Sequence, residues 1–266
     1  MSDVAVASVR PIVLPNVSFG PYRLMEAVPW LMFATAMRIF ESSNWGQWLV
    51  AAGLANLSIF LAFLLAARRM VEFTNGKTGL GRLDFRAQLT LARIVLIPIF
   101  AFVVVGSIVV FRLGARWTGM YFLLGFDGIA FDQYTYPCMA WSAFLAALLL
   151  LTVLKAESTG SVGLFSIFIE FGQRAACMVP AIVAVTIADI GLNAIQGAVR
   201  HLVVVFWHTS ALPLTAKNLV YFLFIFSFAS VRLWLTLAIL TFALRDSYRR
   251  GHAMPHFVPD RFKTGA

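Results

Sequence analysis

Six apolar runs, at about 24–41, 47–67, 91–113, 137–154, 175–198 and 218–244, occupy most of this chain. All but the first approach the ~20 residues with which an α-helix crosses a hydrocarbon core of about 30 Å. Inside lipid every backbone N–H and C=O must be bonded within the chain, so such runs can only be helices. The fold class expected is all-α, a polytopic helical membrane protein with about six transmembrane helices arranged as three consecutive hairpins. The first run is short, carries Pro29 early and has Arg38 and Glu41 near its end. If it is an interfacial helix, five spans remain. A composition of 61% hydrophobic and 12% charged residues over 266 positions excludes a water-soluble domain.

One transmembrane helical domain, 24–246, is expected between an N-terminal segment, 1–23, and a tail, 247–266. Both flanks are too short to bury a core of their own. The first 27 residues are mixed and punctuated by proline, with no short apolar run before a small-residue cleavage site, so the first segment is expected to remain in the mature chain.

The formal charge of +9 would suggest nucleic acid in a soluble protein. Here it follows the positive-inside rule, and no nucleic-acid partner is expected. Sorted by side, fifteen basic residues fall with the termini and four, Arg112, Arg116, Arg200 and Lys217, fall opposite. The chain is therefore read as a multi-pass protein of a bacterial inner membrane with both termini cytoplasmic. Trp45, Trp48, Trp117 and Trp207 cluster at the expected outer boundary, as an interfacial aromatic belt does. Arg68, Arg69, Arg82 and Arg86 are assigned to anionic lipid headgroups on the cytoplasmic side.

The second and third hairpins share a polar lead-in, a proline early in the span (Pro98, Pro180) and a broken apolar segment before the return helix, Met120 to Pro137 or Ala198 to Leu214. This reads as a weak parallel repeat, against the alternative that helical hairpins commonly share such features.

The fifth run carries a line of polar residues, Thr186, Asp189, Asn193, Gln196 and Arg200, at spacings of three and four. That spacing places them on one helical face. A charge at mid-bilayer costs roughly 2.5 to 3.5 kcal/mol on insertion scales, so the face must meet protein, water or a counter-charge. Asp189 lies about 22 Å up its helix from Arg174, and Arg232 about 21 Å up the returning helix from Asp246. At matched depths the two are expected to form a buried ion pair. The stripe's outer end, from Asn193 to Arg200, is left without a partner. Beside it Ala181, Ala184, Ala188, Gly191 and Ala198 form a small-residue stripe of the kind against which membrane helices pack, so this span is expected to be the enclosed one.

Asp127 and Asp132 are read as solvated charges of an irregular outer segment, their spacing of five being wrong for one helical face. Cys138 and Cys177, in separate apolar runs, are read as free core residues. His201 and His208 lie on a single helix, and His252 and His256 flank Pro255, so neither pair suggests haem or a metal site. Asn75-Gly76-Lys77-Thr78-Gly79 lacks the leading glycine of a phosphate loop, having Val71 there. No catalytic motif, metal site or cofactor is assigned. The leading expectation is a non-catalytic integral membrane subunit packing with partner membrane proteins in a larger assembly. The alternatives are a transporter or channel for a small solute, ion or lipid using the face of Asp189, Asn193, Gln196 and Arg232, and a membrane enzyme at the outer interface using Asp127, Asp132 or His201.

Overall fold

The structure, a computed structural model, describes residues 15–20, 24–43, 48–73, 85–112, 126–133, 135–159 and 162–250. Among them seven α-helices form a membrane-type bundle: α1 (Val28–Ser43), α2 (Trp48–Met70), α3 (Phe85–Arg112), α4 (Tyr136–Thr159), α5 (Leu164–Gln173), α6 (Ala175–Thr209) and α7 (Leu214–Arg249). Five of them, α2, α3, α4, α6 and α7, are long and apolar enough to cross a bilayer. At 16 residues α1 is only about 24 Å long. It nevertheless runs back along α2 as the partner of a closely packed hairpin. Short strands β1 (Pro15–Val17) and β2 (Val71–Phe73) pair antiparallel, with Asn16 opposite Glu72. They hold part of the N-terminal segment against the end of α2, and the Trp234 indole of α7 donates to the Phe19 carbonyl at 3.0 Å.

The centre of the bundle is made by α2 and α4, where burial is nearly continuous through Ile59–Ala67 and Leu145–Leu151. A helix that is apolar all round can be covered on every side, as α2 and α4 are through these two stretches. Small side chains at Ala62, Ala66, Ala67, Ala143, Ala146 and Ala147 let neighbours approach from all directions. The expectation that the fifth span is the most enclosed is corrected here. Of the five spanning helices α6 is the least covered, because its charged face needs only one side turned inward.

At one end of the bundle Arg174, only 2% exposed, joins four helices. Its guanidinium meets Glu170 at 3.3 Å and Ser247 at 3.4 Å, and its Cζ lies 4.3 Å above the Tyr248 ring. Glu170 in turn faces Lys155 at 3.6 Å. Arg174, Glu170 and Lys155 thus form a clamp across α4, α5, α6 and α7.

At the other end the segment Phe126–Gln133 is tucked among α2, α4 and α7, with Asp127–Ile129 in a single 3-10 turn. Phe126, Ile129, Ala130 and Phe131 are buried, and Phe126 meets Phe60 edge to face. Irregular backbone is tolerated at such a position when protein encloses it. The hairpin likeness fails in this region. No proline or glycine interrupts Val199–Thr209, so α6 continues unbroken to Thr209 and the connection to α7 is short. Lys217 closes it by donating to the Trp207 carbonyl at 2.7 Å.

Gly128 makes the Phe126–Gln133 segment, the plug, fit. A Cβ there would collide with the Ser142 hydroxyl and lie 2.8 Å from Gln133 Cγ and 2.9 Å from Ser142 Cβ. Gly128→Ala is therefore expected to destabilise the protein by about 1–3 kcal/mol through overpacking. The readout is a lower thermal midpoint in detergent, and an unchanged midpoint would show that the plug yields without cost.

Candidate functional site

The polar face of α6 meets α7 and the plug, and what joins it to α7 is the guanidinium of Arg232. Arg232 is 1% exposed and Asp189 4%, and Arg232 Nε lies 3.3 Å from Asp189 Oδ1. Nη2 donates to the Asn193 side-chain oxygen, in a close contact, and to Gln196 Oε1 at 3.3 Å. Among the described residues Nη1 has no hydrogen-bond partner. Three successive polar positions of α6, one helical turn apart, thus surround one side chain of α7. The spacing of three and four is what allows this, because it stacks Asp189, Asn193 and Gln196 on one edge.

Asn193 also works in the other direction. Its amide donates to the Gln133 backbone carbonyl at 3.0 Å and lies 3.8 Å from the Met139 sulfur. Two turns further on, Arg200 Nη2 meets Asp132 Oδ2 at 2.7 Å. The outer end of the stripe therefore does have partners within the chain, contrary to expectation, and the plug supplies them. Thr186 stands apart from the network: its hydroxyl donates to the Ile182 carbonyl one turn back, at 2.9 Å.

The reading of Asp127 as a solvated loop charge is also overturned. Its carboxylate is buried and lies 2.9 Å from Arg38 Nη2, while Arg38 Nη1 holds Glu41 at 2.6 Å. Burial pushes the Asp127 carboxyl up from the ordinary 3.8 to about 6, against the pull of Arg38. Asp127 and Asp132 serve two different guanidinium groups rather than converging on one point, which removes the geometric support for acid/base work between them.

A cavity of about 410 Å³ opens on one flank of this network. Its walls are Asp132, Gln133, Tyr136 and Met139 on one side and Ile190, Asn193, Ala194, Gly197 and Arg200 of α6 on the other. On the opposite flank of α6 the small-residue stripe is mostly bare: Ala181 is buried, but Ala184, Gly191 and Ala198 are exposed and Ala188 is half-buried. A Cβ built on Gly191 or on Gly197 meets nothing within 4 Å.

The arginines assigned to lipid headgroups divide. Arg68 is buried inside the protein, and Arg69 is engaged by Glu26, because α2 ends against the N-terminal segment rather than at a free surface. Arg86 is exposed, and Arg82 lies outside the described residues, as do Trp45, Trp117, His252, His256 and the turn at 75–79. Cys138 and Cys177 are both free thiols. No group of three or more potential metal-ligating side chains occurs among the described residues.

No family model matches the chain, and no match is found among curated proteins or solved structures.

Two predictions follow from this geometry. Arg232→Leu strands the Asp189 carboxylate in the bundle and is expected to cost about 3–5 kcal/mol. Asp189→Asn leaves the guanidinium with oxygen acceptors from three α6 side chains and should cost less, about 1–3 kcal/mol. The Asp189→Asn/Arg232→Leu double variant should recover much of the larger loss. Thermal midpoints of the purified variants measure this, and additive losses would show that the two residues act independently. For Asp127 the sign is set by its raised folded value. The acid is favoured in the folded protein, so its contribution is greatest below about pH 4 and declines as pH rises through about 6. The difference in thermal midpoint, native minus Asp127→Asn, should therefore fall between pH 4 and pH 7; a flat or rising difference would contradict it.

Proposed function

We propose that this chain is a non-catalytic integral membrane subunit whose α6 packs against a transmembrane helix of a partner protein in a larger membrane assembly. The observation that carries the reading is the bare small-residue flank of α6, where Ala184, Gly191 and Ala198 are exposed beside a charge network already neutralised within the chain. Small residues let helices approach closely in lipid, where no hydrophobic drive is available.

The length of the bare apolar surface supports the same reading. Exposed apolar side chains run along α6 from Val179 to Phe206. That is about 40 Å, which exceeds a ~30 Å hydrocarbon core unless the helix tilts by about 40°. Leu202, Val204, Val205, Leu214 and Leu219 extend this surface beyond Arg200, where a partner would cover what lipid does not. The reading includes a bacterial inner membrane with both termini in the cytoplasm, supported by the bias of basic residues toward the terminal side. Exposed Arg86 is then a contact for anionic headgroups. Transport of a small solute, ion or lipid is the second reading, favoured by the cavity reaching Asn193.

Native mass spectrometry of the complex extracted in mild detergent tests the proposal. The chain should carry at least one defined partner protein, and Gly191→Leu should remove that partner while leaving the chain's own thermal midpoint unchanged, since a side chain there meets nothing internally. A chain that runs alone, or only as copies of itself, would overturn it.

A further inference from the structure

The cavity beside Arg200 has features that select one kind of occupant. Its size is within the range of small-molecule sites, and its two charged walls, Arg200 and Asp132, cancel. Both remain partly open, their side chains 38% and 24% exposed. A ligand that keeps the site neutral while giving each wall a partner must carry an oxyanion and an ammonium close together. A purely anionic ligand would satisfy Arg200 but bring its charge against Asp132.

The second feature is what lies along the helix from the cavity. Val179, Val183, Ile187 and Ile190 succeed one another at spacings of four, four and three, and all four are exposed. They form an apolar track about 16 Å long on α6, leading directly to the cavity. At 100° per residue this flank lies roughly 85° around the helix from the Ala184–Gly191–Ala198 flank, so it adjoins the partner surface proposed above, and it is the recess at Gly197 and Arg200 that belongs to the lipid site alone. A polar recess of balanced charge at the head of an apolar track is complementary to an amphiphile.

We propose that this recess binds the headgroup of a zwitterionic glycerophospholipid bearing a primary ammonium, with its phosphate on Arg200, its ammonium on Asp132 and an acyl chain along Val179–Ile190. Gly197, in the cavity wall, leaves room for the headgroup, because a side chain at that position would project into open space.

The chemistry of an ammonium beside an oxyanion also belongs to soluble zwitterions, and the experiment separates the two sources. The full chain is exposed in detergent to equimolar phosphatidylethanolamine and phosphatidylglycerol, and retained lipid is counted by native mass spectrometry. The native chain should retain the zwitterionic lipid over the anionic one by about three- to tenfold, the discrimination of one partly exposed charge-assisted contact. Gly197→Leu should abolish that preference with an unchanged thermal midpoint, and Asp132→Asn should shift it toward phosphatidylglycerol. Free phosphoethanolamine in excess should not displace the lipid, since it cannot occupy the track. Equal retention of the two lipids by the native chain, an unaltered preference in Gly197→Leu, or full displacement by phosphoethanolamine would each overturn the assignment. Gly191 does not line the recess, so loss of partner protein in Gly191→Leu with the lipid preference retained, or the reverse in Gly197→Leu, tells failure of one proposal from failure of the other.

Discussion

A guanidinium in the middle of a bundle this apolar is the constraint that the surrounding polar structure satisfies. Arg232 cannot shed its charge, so oxygen acceptors must be brought to it. Asp189, Asn193 and Gln196 do this from a single edge of α6, which fixes the rotation of α6 about its own axis and its register against α7. Asn193 then passes the constraint on, because its second polar group reaches the plug and sets where Gln133 sits. Buried polar groups of this sort contribute less to net stability than to choosing one arrangement among several apolar packings of similar energy. In a bundle whose other contacts are mostly Leu, Ala and Phe, that choice needs directional interactions.

The two ends of the bundle meet the same requirement differently. At the Arg174 end a cation is buried where four helix termini meet, and it is balanced by Glu170 and an aromatic face rather than by a mid-helix stripe. At the plug end Arg38 and Arg200 each take one carboxylate from an irregular segment. The described structure has internal counter-charges at every level, and this leaves the outward faces of α6 almost wholly apolar or small. Those faces differ from each other. One is lined by alanine and glycine with Ile195 between them, and the other is a ridge of β-branched residues leading to a recess.

The helical parts were legible because an α-helix has a fixed rise and period. Counting from Arg174 and Asp246 was sufficient to bring Asp189 and Arg232 to one depth, and apolar run lengths marked six expected spans, of which five are long enough to cross and the short first run, α1, is not. What escaped the reading has no period. Nothing in Phe126-Asp127-Gly128-Ile129-Ala130-Phe131-Asp132-Gln133 states that it turns inward, although its three large apolar residues around two aspartates are poorly suited to a solvated loop, and that was the available signal. The partners of Asn193 and Arg200 lay in this segment, so the stripe's end looked vacant. The small-residue stripe was visible as a face, but a sequence does not say which of two faces turns toward its own chain; the charged one prevailed, because burying charge in lipid costs more than exposing alanine. Arg68 and Arg69 were assigned to headgroups for a related reason. Basic residues at helix ends suggest headgroups, and only tertiary contact reveals that a neighbouring element has taken their place.

The plug has a consequence for how the chain is made. Its polar contacts with α6 come from Asn193 and Arg200, which lie more than fifty residues downstream of the Gln133 carbonyl and the Asp132 carboxylate they engage. When α3 and α4 first enter the bilayer, Asp132 and the Gln133 carbonyl have none of these partners, and Arg38 can satisfy only Asp127. The second hairpin therefore cannot reach its final form as it is synthesised. These contacts close only when α6 lies beside it, so the last hairpin completes an earlier one.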